Sequence, residues 1–138
     1  MDKLFFDTNV LLDVLEKRTP WFPESAECLS LVRRGHCKGA ITALSLSDIA
    51  YIQKSASTEM LYTGFRMLRN FLDIAPLNQT TVDTALARRM SDIEDGFQLT
   101  AALNCQATHL LTRNVKDFPM EASLIIQSPA DYLQCFSF

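Results

Sequence analysis

The stretch FFDTNVLLDVL, Phe5 to Leu15, decides the fold. It reads as a strand, then a turn, then a helix. Asp is disfavoured within strands, and here it follows an apolar one. Asp7 is therefore predicted at the strand tip, with its carboxylate at the end of a sheet.

Outward from that stretch, further runs of strand type recur along the chain. They are Lys3–Phe6 itself, Gly39–Thr42, Phe71–Leu77, Thr108–Thr112 and Ser123–Gln127, each with turn or cap residues nearby. Helical patterns separate them. Phe22, Ala26, Leu29 and Val32 share a face in 22–34, and Leu61, Phe65 and Leu68 do so in 60–70. Val82, Ala85, Leu86 and Met90 do so in 82–90. Thr58 and Thr81 are the predicted N-caps of the last two helices. Strands alternating with helices imply βαβ units and a parallel sheet covered on both faces. One three-layer α/β/α domain spanning residues 1–138 is expected, with no linker, repeat or low-complexity segment.

Bulk properties agree with this and narrow the function. A length of 138 residues suits one domain with a real core. The 48% hydrophobic and 21% charged fractions exclude a disordered chain. No apolar run approaches the roughly 20 residues that span a bilayer. Asp2 precedes the first strand with no basic region leading into an apolar segment, so a cytosolic location is expected. The net charge of −3 argues against a DNA-coating protein. It does not exclude a nuclease, since catalytic acids lower the net charge and a bound metal offsets them. Cys28, Cys37, Cys105 and Cys135 form no C-x-x-C pair, and with only His36 and His109 the spacing does not make a zinc site. Reduced thiols, buried or partly buried, are expected.

In open parallel sheets ligands bind at the carboxyl ends of strands, near the point where strand order reverses. Asp7 ends the first strand, with Thr8 and Asn9 next. The helix after the second strand carries Asp48. The helix before the fourth opens with Asp92, Glu94 and Asp95. The fourth strand runs into Thr112, Arg113, Asn114, Lys116 and Asp117. Acids from four separate places thus reach one edge. No Gly-x-Gly-x-x-Gly or P-loop is present to cradle a pyrophosphate. Clustered carboxylates repel one another and suit hard cations such as Mg²⁺ or Mn²⁺. Such ions sharpen water as a nucleophile and offset the charge developing on a phosphodiester, so phosphodiester hydrolysis is the chemistry this set favours.

Each acid also has a purely structural use. Asp48 follows Ser45 by three residues and Glu94 follows Ser91 by three, the spacing of a capping box. Asp92 complements a helix macrodipole, and Asp117 terminates a short turn before Phe118-Pro119. Asp13, inside the first helix, is expected to be solvated. Thr8 or Asn9 either caps that helix or orients Asp7. Arg33-Arg34 and Arg88-Arg89 read as solvated helix faces, whereas Arg113 and Lys116 stand where substrate phosphate would pass.

The blocks FFDTNVLLDVL, ITALSLSDIAYI, DIEDGFQLTAAL and LLTRNVKDF, with a closing SPADYL, resemble the PIN domain, and within it the VapC-type ribonuclease toxins of bacterial toxin–antitoxin pairs. They occur in this order across nearly the whole chain. The resemblance implies an α/β/α fold around a parallel sheet of about five strands and an acidic site that binds Mg²⁺ or Mn²⁺ and cleaves RNA. By position its four acids are Asp7, Asp48, Asp95 and Asp117. Asp92, one turn before Asp95, implies a further metal ligand, and Thr112 and Asn114 match the polar residues that support the fourth acid. The second acid is Glu in many members. Asp48 is one methylene shorter, which implies reaching the metal through water or from a closer backbone. A cognate antitoxin and a homodimer are the implied partners.

Two other classes compete. One is a PIN-like binding module with a degenerate site. The other is a phosphatase whose first strand ends in Asp-x-Asp. The second lacks its acid–base carboxylate, because Asn9 stands two residues after Asp7.

Overall fold

A computed structural model describes residues 1–137. The elements run β1 (Lys3–Phe6), α1 (Thr8–Leu15), α2 (Phe22–Arg33), β2 (Lys38–Ile41), α3 (Ala43–Ile52), α4 (Thr58–Phe71) and β3 (Asp73–Ile74). They continue with α5 (Gln79–Arg88), α6 (Ile93–Asn104), β4 (His109–Leu111), a 3₁₀ turn (Val115–Asp117), β5 (Ile125–Gln127) and α7 (Pro129–Cys135). The sheet order is β3-β2-β1-β4-β5 and every pairing is parallel.

The pleat of β1 sends alternate side chains to opposite faces. Leu4 and Phe6 enter one core with Val10, Leu11, Leu29, Ile41, Leu68 and Tyr132. Phe5 enters the other with Ala40, Leu99, Ala102 and Leu110. All three β1 residues are fully buried, so β1 is the central strand, and its lack of a polar face is what a sheet covered on both sides requires. Gly39 on β2 is held to glycine by packing. A Cβ there would stand 2.6 Å from Leu72 Cδ2 and 2.9 Å from Val32 Cγ1.

Several boundaries differ from the sequence expectation. The predicted strand 71–77 is only Asp73–Ile74, because Phe71 completes the last turn of α4. Thr58 and Thr81 are not caps. Ser57 Oγ accepts from Met60 N at 3.1 Å, and Asn78 Oδ1 accepts from Thr81 N at 3.0 Å. Neither predicted capping box forms. Thr42 caps α3, three residues before Ser45, and Asp92 caps α6, one residue after Ser91. Cys135 is exposed, while Cys28 and Cys37 are buried.

The strand order positions the site. Connections from β1 run outward to β2 and β3, and the later strands lie on the opposite side of β1. Order therefore reverses between β1 and β4, where a crevice opens at the carboxyl ends. Phe6 pairs in register with Leu111, and Asp7 N donates to Leu111 O at 3.0 Å. Asp7 and Thr112 consequently leave the sheet side by side.

Candidate active site

Asp7 is buried, with 6% of its surface exposed. Its Oδ1 accepts from Thr8 N at 2.9 Å and its Oδ2 from Thr112 Oγ1 at 2.8 Å. Asn9 Nδ2 reaches both Asp7 Oδ2 and Thr112 Oγ1 at 3.4 Å. Asp7 thus both caps α1 and is oriented by Asn9 and Thr112, which answers the alternatives left open for the cap. Asn114 donates its backbone N–H to Thr112 Oγ1 at 3.1 Å, and the Thr112 hydroxyl bonds Asp7, so Thr112 supports the first acid rather than the fourth. Burial raises the Asp7 pKa, the bonds from Thr112, Thr8 and Gln98 oppose it, and the charge of Asp92 adds to the rise.

Asp95, in the first turn of α6, is pushed up to about 6. Burial is the largest cause, followed by the charges of Asp7, Asp92 and Asp117. Those three acids come from the end of β1, the cap of α6 and the 3₁₀ turn after β4. All three charges act on the Asp95 carboxyl. Asp92 Oδ1 is committed to its own helix, accepting from Glu94 N at 2.9 Å and Asp95 N at 3.3 Å. Asp92, Asp95, Asp117 and Lys116 line a groove of about 760 Å³, together with Arg89 and the Arg88–Glu121 ion pair at 2.8 Å.

Asp48 joins the set through Glu94. Its side chain meets Glu94, whose pKa is pushed up to about 8. The hydrogen bond to Asp48 is the largest cause, then burial, then the charges of Asp48, Asp92 and Asp7. Two ionised carboxylates offer each other no donor, and Glu94 Oε1 is buried without a partner in that state. A proton held on Glu94 satisfies both groups. The Ser91-x-x-Glu94 spacing predicts helix capping by Glu94. Asp92 performs that role, which frees Glu94 to face α3.

Behind the acids lies a buried polar network that the sequence reading missed. Gln98 Nε2 donates to Thr8 Oγ1 at 3.2 Å and to Ser45 Oγ at 3.0 Å, and Gln98 Oε1 accepts from Thr42 Oγ1 at 2.8 Å. Thr8 Oγ1 and Ser45 Oγ are 2.8 Å apart. Gln98, Thr42 and Ser45 are fully buried. The network ties α1, α3 and α6 together beneath the acidic edge, and its bonds leave none of these groups unpaired. One signal for it existed: Gln98 is a long polar side chain one turn after Asp95, within a run otherwise apolar or small.

Asp13 corrects an expectation. It is fully buried rather than solvated, and its Oδ2 lies 2.8 Å from Arg113 Nε. Position 13 falls one turn after Val10, on the inner face of α1, and a carboxylate there needs a charged partner. Burial raises its pKa, and the charges of Arg113 and Arg18 oppose the rise. Arg113, predicted to meet substrate phosphate, is thereby engaged by Asp13 and lies 4.0 Å from the Trp21 ring centroid.

The donor chemistry of Asp7, Asp92, Asp95 and Asp117 suits a hard divalent cation, which would relieve the repulsion that raises Asp95. As the side chains stand, no three His, Cys, Asp or Glu among the described residues are gathered closely enough to hold an ion. Among them, too, no helix is long and apolar enough to cross a membrane.

A family model described as a PIN domain matches residues 3–116. No curated protein matches. Among solved structures, a chain from a toxin–antitoxin complex of Klebsiella pneumoniae is similar at a TM-score of 0.68 and 22% identity, over 91% of this chain and 97% of that one. A chain from the crystal structure of VapBC2 of Rickettsia felis, bound to a DNA fragment from their promoter, is similar at 0.69 and 17% identity, over 91% and 98%. At these identities the likeness is one of fold.

Proposed function

The chain belongs to the PIN domain family, and from that premise we propose that it is a metal-dependent endoribonuclease, the toxin of a toxin–antitoxin pair. The observation that carries this reading is the convergence of Asp92, Asp95 and Asp117 on one groove, with Asp7 fixed at the tip of β1 where strand order reverses and its charge acting on the Asp95 carboxyl. Asp7, Asp95 and Asp117 would hold Mg²⁺ or Mn²⁺, with Asp92 contributing the oxygen its helix leaves free. The chemistry such an ion would supply there is a more acidic water and compensation of negative charge on the phosphodiester.

The chain's own residues set the geometry. Asp7 is pinned through both oxygens, so its position is fixed before any ligand arrives. Asp95 from α6 and Asp117 from the 3₁₀ turn line the same groove. Asp48 stands behind them with Glu94, and acts on the site through that pair or through water. Lys116 on the groove wall supplies a positive charge where an RNA phosphate would pass.

A cognate antitoxin is the proposed protein partner, in keeping with the complexes in which both structural neighbours occur. A homodimer is proposed as the free state, and cytoplasm as the location. The rival reading, a PIN-like module that binds a partner and does not cut, is favoured by one observation, the lack of a preformed ion cage among the described residues. A cleavage assay separates the two. Purified protein is incubated with single-stranded RNA in Mg²⁺, in Mn²⁺ and in excess EDTA. Cleavage that requires the ion supports the ribonuclease, and intact RNA under all three conditions refutes it.

A further inference from the structure

Trp21 is the chain's single tryptophan, and 42% of its surface is exposed. It stands at the entrance to α2, with the Arg113 guanidinium over its ring. Asp13 holds that guanidinium from within the protein through Nε. Among the described residues no acceptor pairs with its terminal nitrogens. Beside the two side chains lies a cavity of about 290 Å³, which Glu24, Ser25, Ser128 and Pro129 also line. Ser25 is fully buried and its Oγ has no hydrogen-bond partner. A buried hydroxyl left unpaired is costly unless a ligand or water completes it.

The cavity adjoins the acidic edge through one loop. Thr112, next to Arg113, holds Asp7 Oδ2, and Arg113 N donates to Asn9 Oδ1 at 3.3 Å. A polymer bound at Asp7 therefore passes close to Arg113. An indole and a guanidinium both stack on flat π systems. Glu24 and Ser25 offer acceptor and donor atoms to a polar edge. The volume sits at the lower end for ligand pockets, which suits one planar ring system. Flat, polar-edged and attached to a phosphate: these are the properties of a nucleotide.

We propose that this cavity is a nucleobase subsite for the RNA substrate, in which a base near the cleaved phosphodiester stacks against Trp21 and Arg113 and meets Ser25 with its polar edge. The proposal rests on the ribonuclease reading for the identity of its ligand. It makes Trp21 and Ser25 substrate-positioning residues, and Asp13 the group that aims Arg113.

The single tryptophan makes the test direct. Full-length Asp7→Asn protein in EDTA is titrated with AMP, CMP, GMP and UMP, with ribose 5-phosphate as the baseless control, and with a short single-stranded RNA. Indole emission then reports Trp21 alone. The expected result is a saturable change with the RNA and at least one nucleotide, none with ribose 5-phosphate, and weaker binding after Ser25→Ala. In the cleaving protein, Trp21→Leu should raise KM for RNA about tenfold with kcat nearly unchanged, and Trp21→Phe should restore most of the loss. Emission silent to every nucleotide and to RNA overturns the subsite. So does an equal response to ribose 5-phosphate. The titration and Ser25→Ala stand even if Trp21→Leu fails to fold. Uncut RNA with a nucleotide-dependent emission change would sink the ribonuclease reading alone. Cut RNA with silent emission would sink the subsite alone.

Discussion

Replacing Glu94 with Gln should flatten the pH dependence of stability. Glu94 moves from an ordinary value near 4.5 to about 8 in the folded protein, chiefly through its hydrogen bond to Asp48. Its pKa is raised on folding, so between those values the native state binds the proton and the unfolded chain does not. Stability is therefore fully present below about pH 4.5 and is lost as pH rises toward 8. At about 1.4 kcal/mol per pH unit the whole interval corresponds to roughly 5 kcal/mol. Glu94 is only half-buried, so solvent screening reduces the realised effect to roughly 1–2 kcal/mol. For a domain of this size that is a fall in Tm of roughly 3–8 °C. Gln keeps a donor toward Asp48 and cannot ionise. Glu94→Gln should therefore hold its Tm between pH 6 and 8 while the parent declines, both melted in EDTA. Asp95, pushed up to about 6, leaves a smaller decline below pH 6 in both proteins. Parallel Tm curves for parent and variant would show that no proton is shared between Glu94 and Asp48.

Asp7→Asn should lower the RNA cleavage rate by about 100-fold or more at fixed Mg²⁺. Its Tm should stay level or rise, because burial already disfavours the charged form; cleavage at the parent rate would make Asp7 only a helix cap. Excess EDTA should abolish cleavage and Mg²⁺ or Mn²⁺ restore it. End-labelling should find 5′-phosphate and 3′-hydroxyl products, since attacking water does not use the 2′-hydroxyl, and a cyclic phosphate would mean another mechanism. Gly39→Ala should cost roughly 1–3 kcal/mol by denaturant titration, because the new methyl meets Leu72 and Val32. An unchanged midpoint would mean that the two side chains move aside freely.

Local chemistry decided much of this protein before any contact formed. The apolar run of β1 and the acid at its end were readable in Phe5–Leu15, because strand burial and Asp placement are properties of a few adjacent residues. The alternation that makes the sheet parallel was equally local, and so was the set of motifs that marks the family. Helix starts were harder. Ser57 and Asn78 precede the threonines first assigned, since several cap-capable residues stand together and only backbone geometry selects one. Tertiary structure alone decided how the acids meet. The charges of Asp7, Asp92 and Asp117 act on Asp95 because strand order reverses between β1 and β4. Asp48 meets Glu94, whose carboxyl also feels Asp92 and Asp7, and Gln98 ties three helices together. Asp13, alike in sequence to a solvated helix acid, is buried because its helix face turns inward and Arg113, a hundred residues on, arrives to pair with it. Such pairings depend on which strands lie side by side, and no window of neighbouring residues carries that information.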